Sequence, residues 1–153
     1  NRPQAMACTT ALRGLPVGRS GVSARSGGGA ASYDPSDEST ELPEKVDMIF
    51  SKDVLEHVEP DLLEYTITDL WRRTEKVQYH LIACHKAINY YDDGNNAHLI
   101  VETPDWWQRL FRAMGFRIVA ENVVGSIKYP KGRQSIATTK YECVISMRQE
   151  NAG

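Results

Sequence analysis

The run "VDMIF", Val46 to Phe50, constrains the fold of this chain most. It is a short, unbroken apolar stretch bounded by polar residues. That pattern belongs to a strand buried on both faces, the kind found inside a parallel sheet. A parallel neighbour needs a crossover, and the chain supplies one. Glu59, Pro60 and Asp61 read as a helix start, with proline in the first turn and acids at the positive end of the dipole. Leu63, Ile67, Leu70 and Trp71 give that helix an apolar face, and Arg72 and Arg73 close it. "VQYHLIA", Val77 to Ala83, reads as the next strand, adjacent to the first.

The second half repeats the rhythm. The polar loop "INYYDDGNNAHLIVE" leads to Thr103 and Pro104, which start a helix. Trp107, Leu110, Phe111 and Met114 fall on one side of it, and Gly115 takes the C-terminal stop position. "FRIVAENVV" reads as a strand, "GSIKYPKGRQS" as a long turn and "TKYECVISM" as a last strand with alternating apolar residues. Strand, helix, strand, helix, strand predicts a mostly parallel α/β sheet. The closing pair, with no helix between its strands, predicts an antiparallel last strand.

Charge divides the chain. Residues 1–33 carry four arginines, no lysine and no acid, whereas the remainder sets 14 basic residues against 20 acids. The first segment is rich in glycine, serine and alanine and lacks any helical or strand period, so residues 1–32 read as a disordered leader or an altered start. Arginine, serine and no acid also describe a transit peptide. Residues 149–153 read as a tail. The acidic body argues against a nucleic-acid partner. No apolar run approaches the roughly 20 residues of a membrane span. Cys8, Cys84 and Cys143 form no CxxC pair and read as reduced thiols, so a cytoplasmic location is expected.

Between residues 33 and 148 the chain resembles the C-terminal part of a class I S-adenosylmethionine-dependent methyltransferase. The resemblance rests on "DMIFSKDVLEHV", similar to the fourth strand of that fold and the residues after it. It also rests on "MGFRIV" with "YECVI", similar to its sixth and seventh strands, and on "YDPSD" at the end of a second strand. "DDGNNAHLIVETPDWW" is similar to a bacterial and phage branch of these enzymes. The resemblance implies a Rossmann-like methyltransferase sheet, incomplete at its N-terminus. It assigns Asp34 to the cofactor ribose, and Ser51 and Asp53 to the wall around the cofactor's methionine part. Glu56, His57, Asn96 and His98 fall on the substrate side. The family's glycine-rich first loop has no counterpart before Asp34, so S-adenosylmethionine binding by residues 1–153 is expected to be weak or absent. The strand at Val46–Phe50 is then expected to offer an open edge, suited to self-association.

Asp53, Glu56 and His57 are spaced to share one side of a helical turn. Ubiquinone-pathway O-methyltransferases and the enzymes that methylate the terminal 2′-hydroxyl of small RNAs carry a similar acid-x-x-Glu-His. Both hold a divalent metal there. The resemblance implies the same for Asp53, Glu56 and His57, with His98 as fourth ligand and Mg²⁺, Mn²⁺ or Zn²⁺ as the ion. The alternative is that the acids serve only as helix-start charges. Glu56 and His57 are expected to point into the crevice rather than the core. His80 and His85 read as partly buried or surface histidines, and one of Trp106 and Trp107 as core. Three functions remain: methyl transfer from S-adenosylmethionine to a small-molecule O or N acceptor, by a complete or truncated domain; a non-catalytic remnant that binds a partner; and a metal-dependent RNA 2′-O-methyltransferase.

Overall fold

The computed structural model describes residues 21–26, 29–33, 45–129, 131–132 and 134–147, the first two stretches by their backbone. Six strands form one open sheet: β1 (Gly21–Ser26), β2 (Gly29–Tyr33), β3 (Val46–Lys52), β4 (Thr74–Ala83), β5 (Phe116–Lys128) and β6 (Ile136–Met147). Two helices accompany them, α1 (Leu63–Arg72) and α2 (Pro104–Ala113). The sheet order is β2-β1-β3-β4-β6-β5. No helix among the described residues is long and apolar enough to cross a membrane.

The expected adjacency is present. β3 and β4 pair in parallel, with Ile49 opposite Gln78 and Ser51 opposite His80, and α1 forms the crossover between them. β6 runs antiparallel to both of its neighbours, β4 and β5. "Mostly parallel" needs correction, however. Among the described strands β3–β4 is the one parallel pair, and β1–β2, β1–β3, β4–β6 and β5–β6 are antiparallel. The molecule is a mixed α/β sheet.

The open edge expected along β3 is also corrected. β1 lies antiparallel to β3 with Gly21 opposite Lys52 and Arg25 opposite Met48, and β2 pairs with β1 in turn. Part of the stretch read as an unstructured leader therefore extends the sheet. An apolar strand exposes a row of N–H and C=O groups, and extended backbone satisfies them. Residues 1–20 and 148–153 lie outside the described residues.

Both helices pack on one face of the sheet. Trp71 of α1 meets Phe116 edge to face at 5.2 Å, and Phe111 of α2 meets the same ring at 6.4 Å. Trp107 and Phe111 are fully buried, while Trp106, Leu110 and Met114 pack at the core margin. Thr103 caps α2, its hydroxyl accepting from the Trp106 N–H. Burying each of the large side chains contributes about 1.5–3 kcal/mol. The final hairpin is longer than its sequence suggests. Gly125 to Lys128 belong to β5, paired with Ile136 to Thr139, so part of the predicted long turn is ladder.

Candidate functional site

The chain leaves β3 through Asp53, whose φ of 52° puts a non-glycine residue in the left-handed region. The predicted helical turn over Asp53–His57 is replaced by a short 3₁₀ turn, Leu55–His57. Val54, Leu55 and Val58 explain the difference. All three are buried, and a short turn lets them enter the core together. Glu56 follows them inward and is fully buried. The Glu56 carboxylate accepts a hydrogen bond from the Ala83 N–H at the end of β4 (Oε1, 3.0 Å). Its other oxygen, Oε2, is buried without a hydrogen-bond partner among the described residues.

The loop between β4 and α2 brings His98 to the same place. Ile100 N–H donates to the Glu56 carbonyl, and Ala97 N–H to the Asn89 carbonyl, which pins the loop to the turn. The His57 and His98 rings meet edge to face with centroids 4.9 Å apart. Ligand-type atoms of Glu56, His57 and His98 all lie within 4.8 Å of one another. Each imidazole is fixed by its Nδ1. That of His57 bonds to the Ala97 carbonyl at 2.7 Å, and that of His98 bonds to the His85 carbonyl. A carbonyl only accepts, so Nδ1 carries the proton in both rings and Nε2 keeps a free lone pair. This is the arrangement of metal-ligating histidines, oriented by a backbone acceptor behind the ring. An orphaned buried carboxylate oxygen beside two such rings fits a divalent ion.

Burial pushes the Glu56 carboxyl up to about 8, against opposing hydrogen bonds from its own N–H and that of Ala83. Burial pulls both His57 and His98 below the usual histidine value. At neutral pH the group therefore holds a protonated Glu56 and two neutral imidazoles.

The other predicted site residues divide. Asp34 lies outside the described residues. Ser51 is fully buried, and its hydroxyl bonds to His80 Nδ1 at 2.6 Å. Asp53 stands at the rim but is not in the three-residue group. Its Oδ1 accepts from Lys140 Nζ at 2.6 Å. Asn96 shapes the loop, its amide donating to the Ala87 carbonyl and accepting from the Ala87 and His98 N–H groups. The Asn96 side chain is occupied in holding His98 in place.

Two groups escaped the sequence reading. Lys140 sits far along the chain, and nothing local marks it. His80, read as partly buried or surface, is fully buried, and burial lowers it to about 3. Its Nε2 bonds to Gln78 Oε1 (2.8 Å), Gln78 donates to Thr74 Oγ1 (3.2 Å), and Thr74 donates to the Leu70 carbonyl (2.7 Å). The available signal was the alternation of Gln78, His80 and Ile82, which places all three on one face of β4.

No protein-family model matches the chain, and no curated protein matches it in sequence. It is similar to a solved structure described as "Conversion of a Disulfide Bond into a Thioacetal Group during Echinomycin Biosynthesis". The TM-score is 0.45 at 14% identity, over 74% of this chain and 53% of that one. The chain thus spans about half the length of that structure, and the likeness is distant.

Proposed function

We propose that this chain is the acceptor-side part of an S-adenosylmethionine-dependent methyltransferase domain that holds a divalent metal on Glu56, His57 and His98. One observation carries the reading: these residues, from two separate loops, converge beyond the ends of β3 and β4 with Glu56 Oε2 buried and without a partner among the described residues. In open α/β sheets that is where ligands bind. Two imidazoles and a carboxylate suit Mn²⁺, Fe²⁺ or Zn²⁺ better than Mg²⁺, which prefers oxygen. A bound ion would lower the pKa of an acceptor hydroxyl, which favours an O-acceptor over an N-acceptor. The chain's own residues supply orientation: Ala97 and His85 carbonyls set the rings, and the Ala83 N–H holds the carboxylate.

The test is calorimetric titration of the protein with Mn²⁺ and Zn²⁺. One site is expected, lost in His57→Ala and in His98→Ala. Absence of binding to the wild-type protein, or binding unaffected by both changes, defeats the reading. A second reading, a remnant that binds without catalysing, is favoured by the lack of a Gly-x-Gly-x-Gly loop ahead of Asp34. Detectable S-adenosylmethionine binding excludes the remnant, whereas weak or absent binding by residues 1–153 is expected under both readings.

A further inference from the structure

Asp53 stands outside the three-residue group and is paired with a cation. The Asp53–Lys140 pair joins the end of β3 to β6 at 2.6 Å, and both side chains are only about a quarter exposed, at 23% and 25%. Asp53 occupies a left-handed backbone conformation, a strained state for a non-glycine residue that persists only where surroundings enforce it. The pair borders the group: Asp53 leads into the Leu55–His57 turn, and Lys140 lies opposite Ala83, whose N–H donates to Glu56 Oε1. Glu56 belongs to that group, and its Oε2 is buried with no hydrogen-bond partner among the described residues. The Asp53 carboxylate, paired to the Lys140 ammonium, thus precedes by one turn the buried Glu56 carboxyl, which meets the two imidazoles.

We infer that Lys140 is a built-in competitor for the metal: its ammonium pairs with Asp53, and an incoming divalent ion displaces it and takes the Asp53 carboxylate. This rests on the metal reading given above. The exchange is between ion pairs, with no covalent step. A lysine ammonium and a divalent ion at neighbouring positions repel strongly in a partly buried site. Asp53 is better satisfied by the ion, because two charges replace one. Lysine suits the part, since its flexible stem lets the charge withdraw to solvent once released.

The experiment titrates Mn²⁺ and Zn²⁺ into the wild-type protein, Lys140→Met, Lys140→Arg, Asp53→Asn and the Asp53→Asn/Lys140→Met double variant, with thermal melts to confirm folding. Asparagine tolerates the left-handed conformation, so Asp53→Asn tests the charge and not the backbone. Lys140→Met is expected to tighten metal binding about tenfold or more, and Lys140→Arg to stay near wild type. Asp53→Asn is expected to weaken binding and to remove most of the gain from Lys140→Met, a coupling that a purely structural role for Lys140 would not produce. If the wild-type protein binds metal and Lys140→Met does not change the affinity, the competitor is refuted while the metal site stands. A gain from Lys140→Met that persists unreduced in the Asp53→Asn background also refutes it, since Asp53 would then take no part. If the wild-type protein binds neither ion, the metal reading and the competitor fall together.

Discussion

His57 and His98 come from separate loops, yet their rings meet edge to face at 4.9 Å, each with Nδ1 tied to a backbone carbonyl of the β4–α2 loop. The loop therefore sets both the position and the tautomer of the pair. Glu56 completes the group from below, held by the Ala83 N–H.

Metal affinity should depend on pH in one direction. Burial holds Glu56 protonated up to about 8, whereas His57 and His98 titrate below their usual value of 6.5. An ion must displace the Glu56 proton, so apparent affinity should rise about tenfold per pH unit from pH 6.5 and level off near pH 8. Proton release measured by titration in buffers of different ionisation enthalpy checks the count. A flat profile across that window would show that Glu56 is not a ligand.

The buried polar ladder should be a stability element. His80 connects Ser51 to Gln78 and stacks on Phe111 with centroids 5.6 Å apart. His80→Phe keeps the stack but strands the Ser51 hydroxyl and the Gln78 amide. It should cost about 2–4 kcal/mol in urea unfolding, from two unsatisfied buried groups. Ser51→Ala should cost less in that background than in the wild-type protein. His80 is held neutral to about 3, so it also contributes to acid lability. The unfolded chain binds its proton below about 6.5 and the folded chain does not, so stability falls as pH drops through that range. His80→Phe should flatten that limb.

How much of this was legible depends on range and pattern. Helix α2 announces itself through Trp107, Leu110, Phe111 and Met114, because a 3.6-residue period survives in sequence. The β3–β4 pairing follows from two apolar runs and a crossover helix. The β1–β2 hairpin does not show, because "GVSARS" and "GAASY" carry no apolar alternation and gain their partner from β3. Glu56 and His57 stand out as residue types, but their burial follows from Val54, Leu55 and Val58 entering the core around them. Lys140 pairs with a residue 87 positions away, a relation that only the sheet register creates. Ser51 and His80 read as surface or site residues, because polar side chains on a strand usually mark the solvent face.

Trp107 offers a test of packing against polarity. Its ring is fully buried between Trp106 and Phe111, but its indole N–H has no hydrogen-bond partner among the described residues. Trp107→Phe removes that uncompensated donor along with part of the ring. It should cost below about 1.5 kcal/mol, well under the about 3–5 kcal/mol of Trp107→Ala. Chemical denaturation of the two variants measures the difference. A Trp107→Phe loss as large as the alanine loss would mean that the N–H is satisfied after all.

The metal-free protein should lose stability as pH rises from 4.5 to about 8, because of Glu56. In the unfolded chain the carboxyl ionises near 4.5, whereas in the folded chain burial keeps the proton until about 8. Between those values the folded state binds more protons than the unfolded state, so the slope of unfolding free energy against pH is negative. One such group contributes up to about 1.4 kcal/mol per pH unit. Glu56→Gln keeps an acceptor for the Ala83 N–H and removes the titration. Its melting temperature in EDTA should exceed that of the wild-type protein at pH 8, and the two should converge toward pH 5. Saturating Zn²⁺ should reverse the order at pH 8, because the ion stabilises only the chain that retains the carboxylate. Equal melting curves across the whole range would mean that Glu56 ionises freely in the folded protein, and the buried carboxyl would have to be reconsidered.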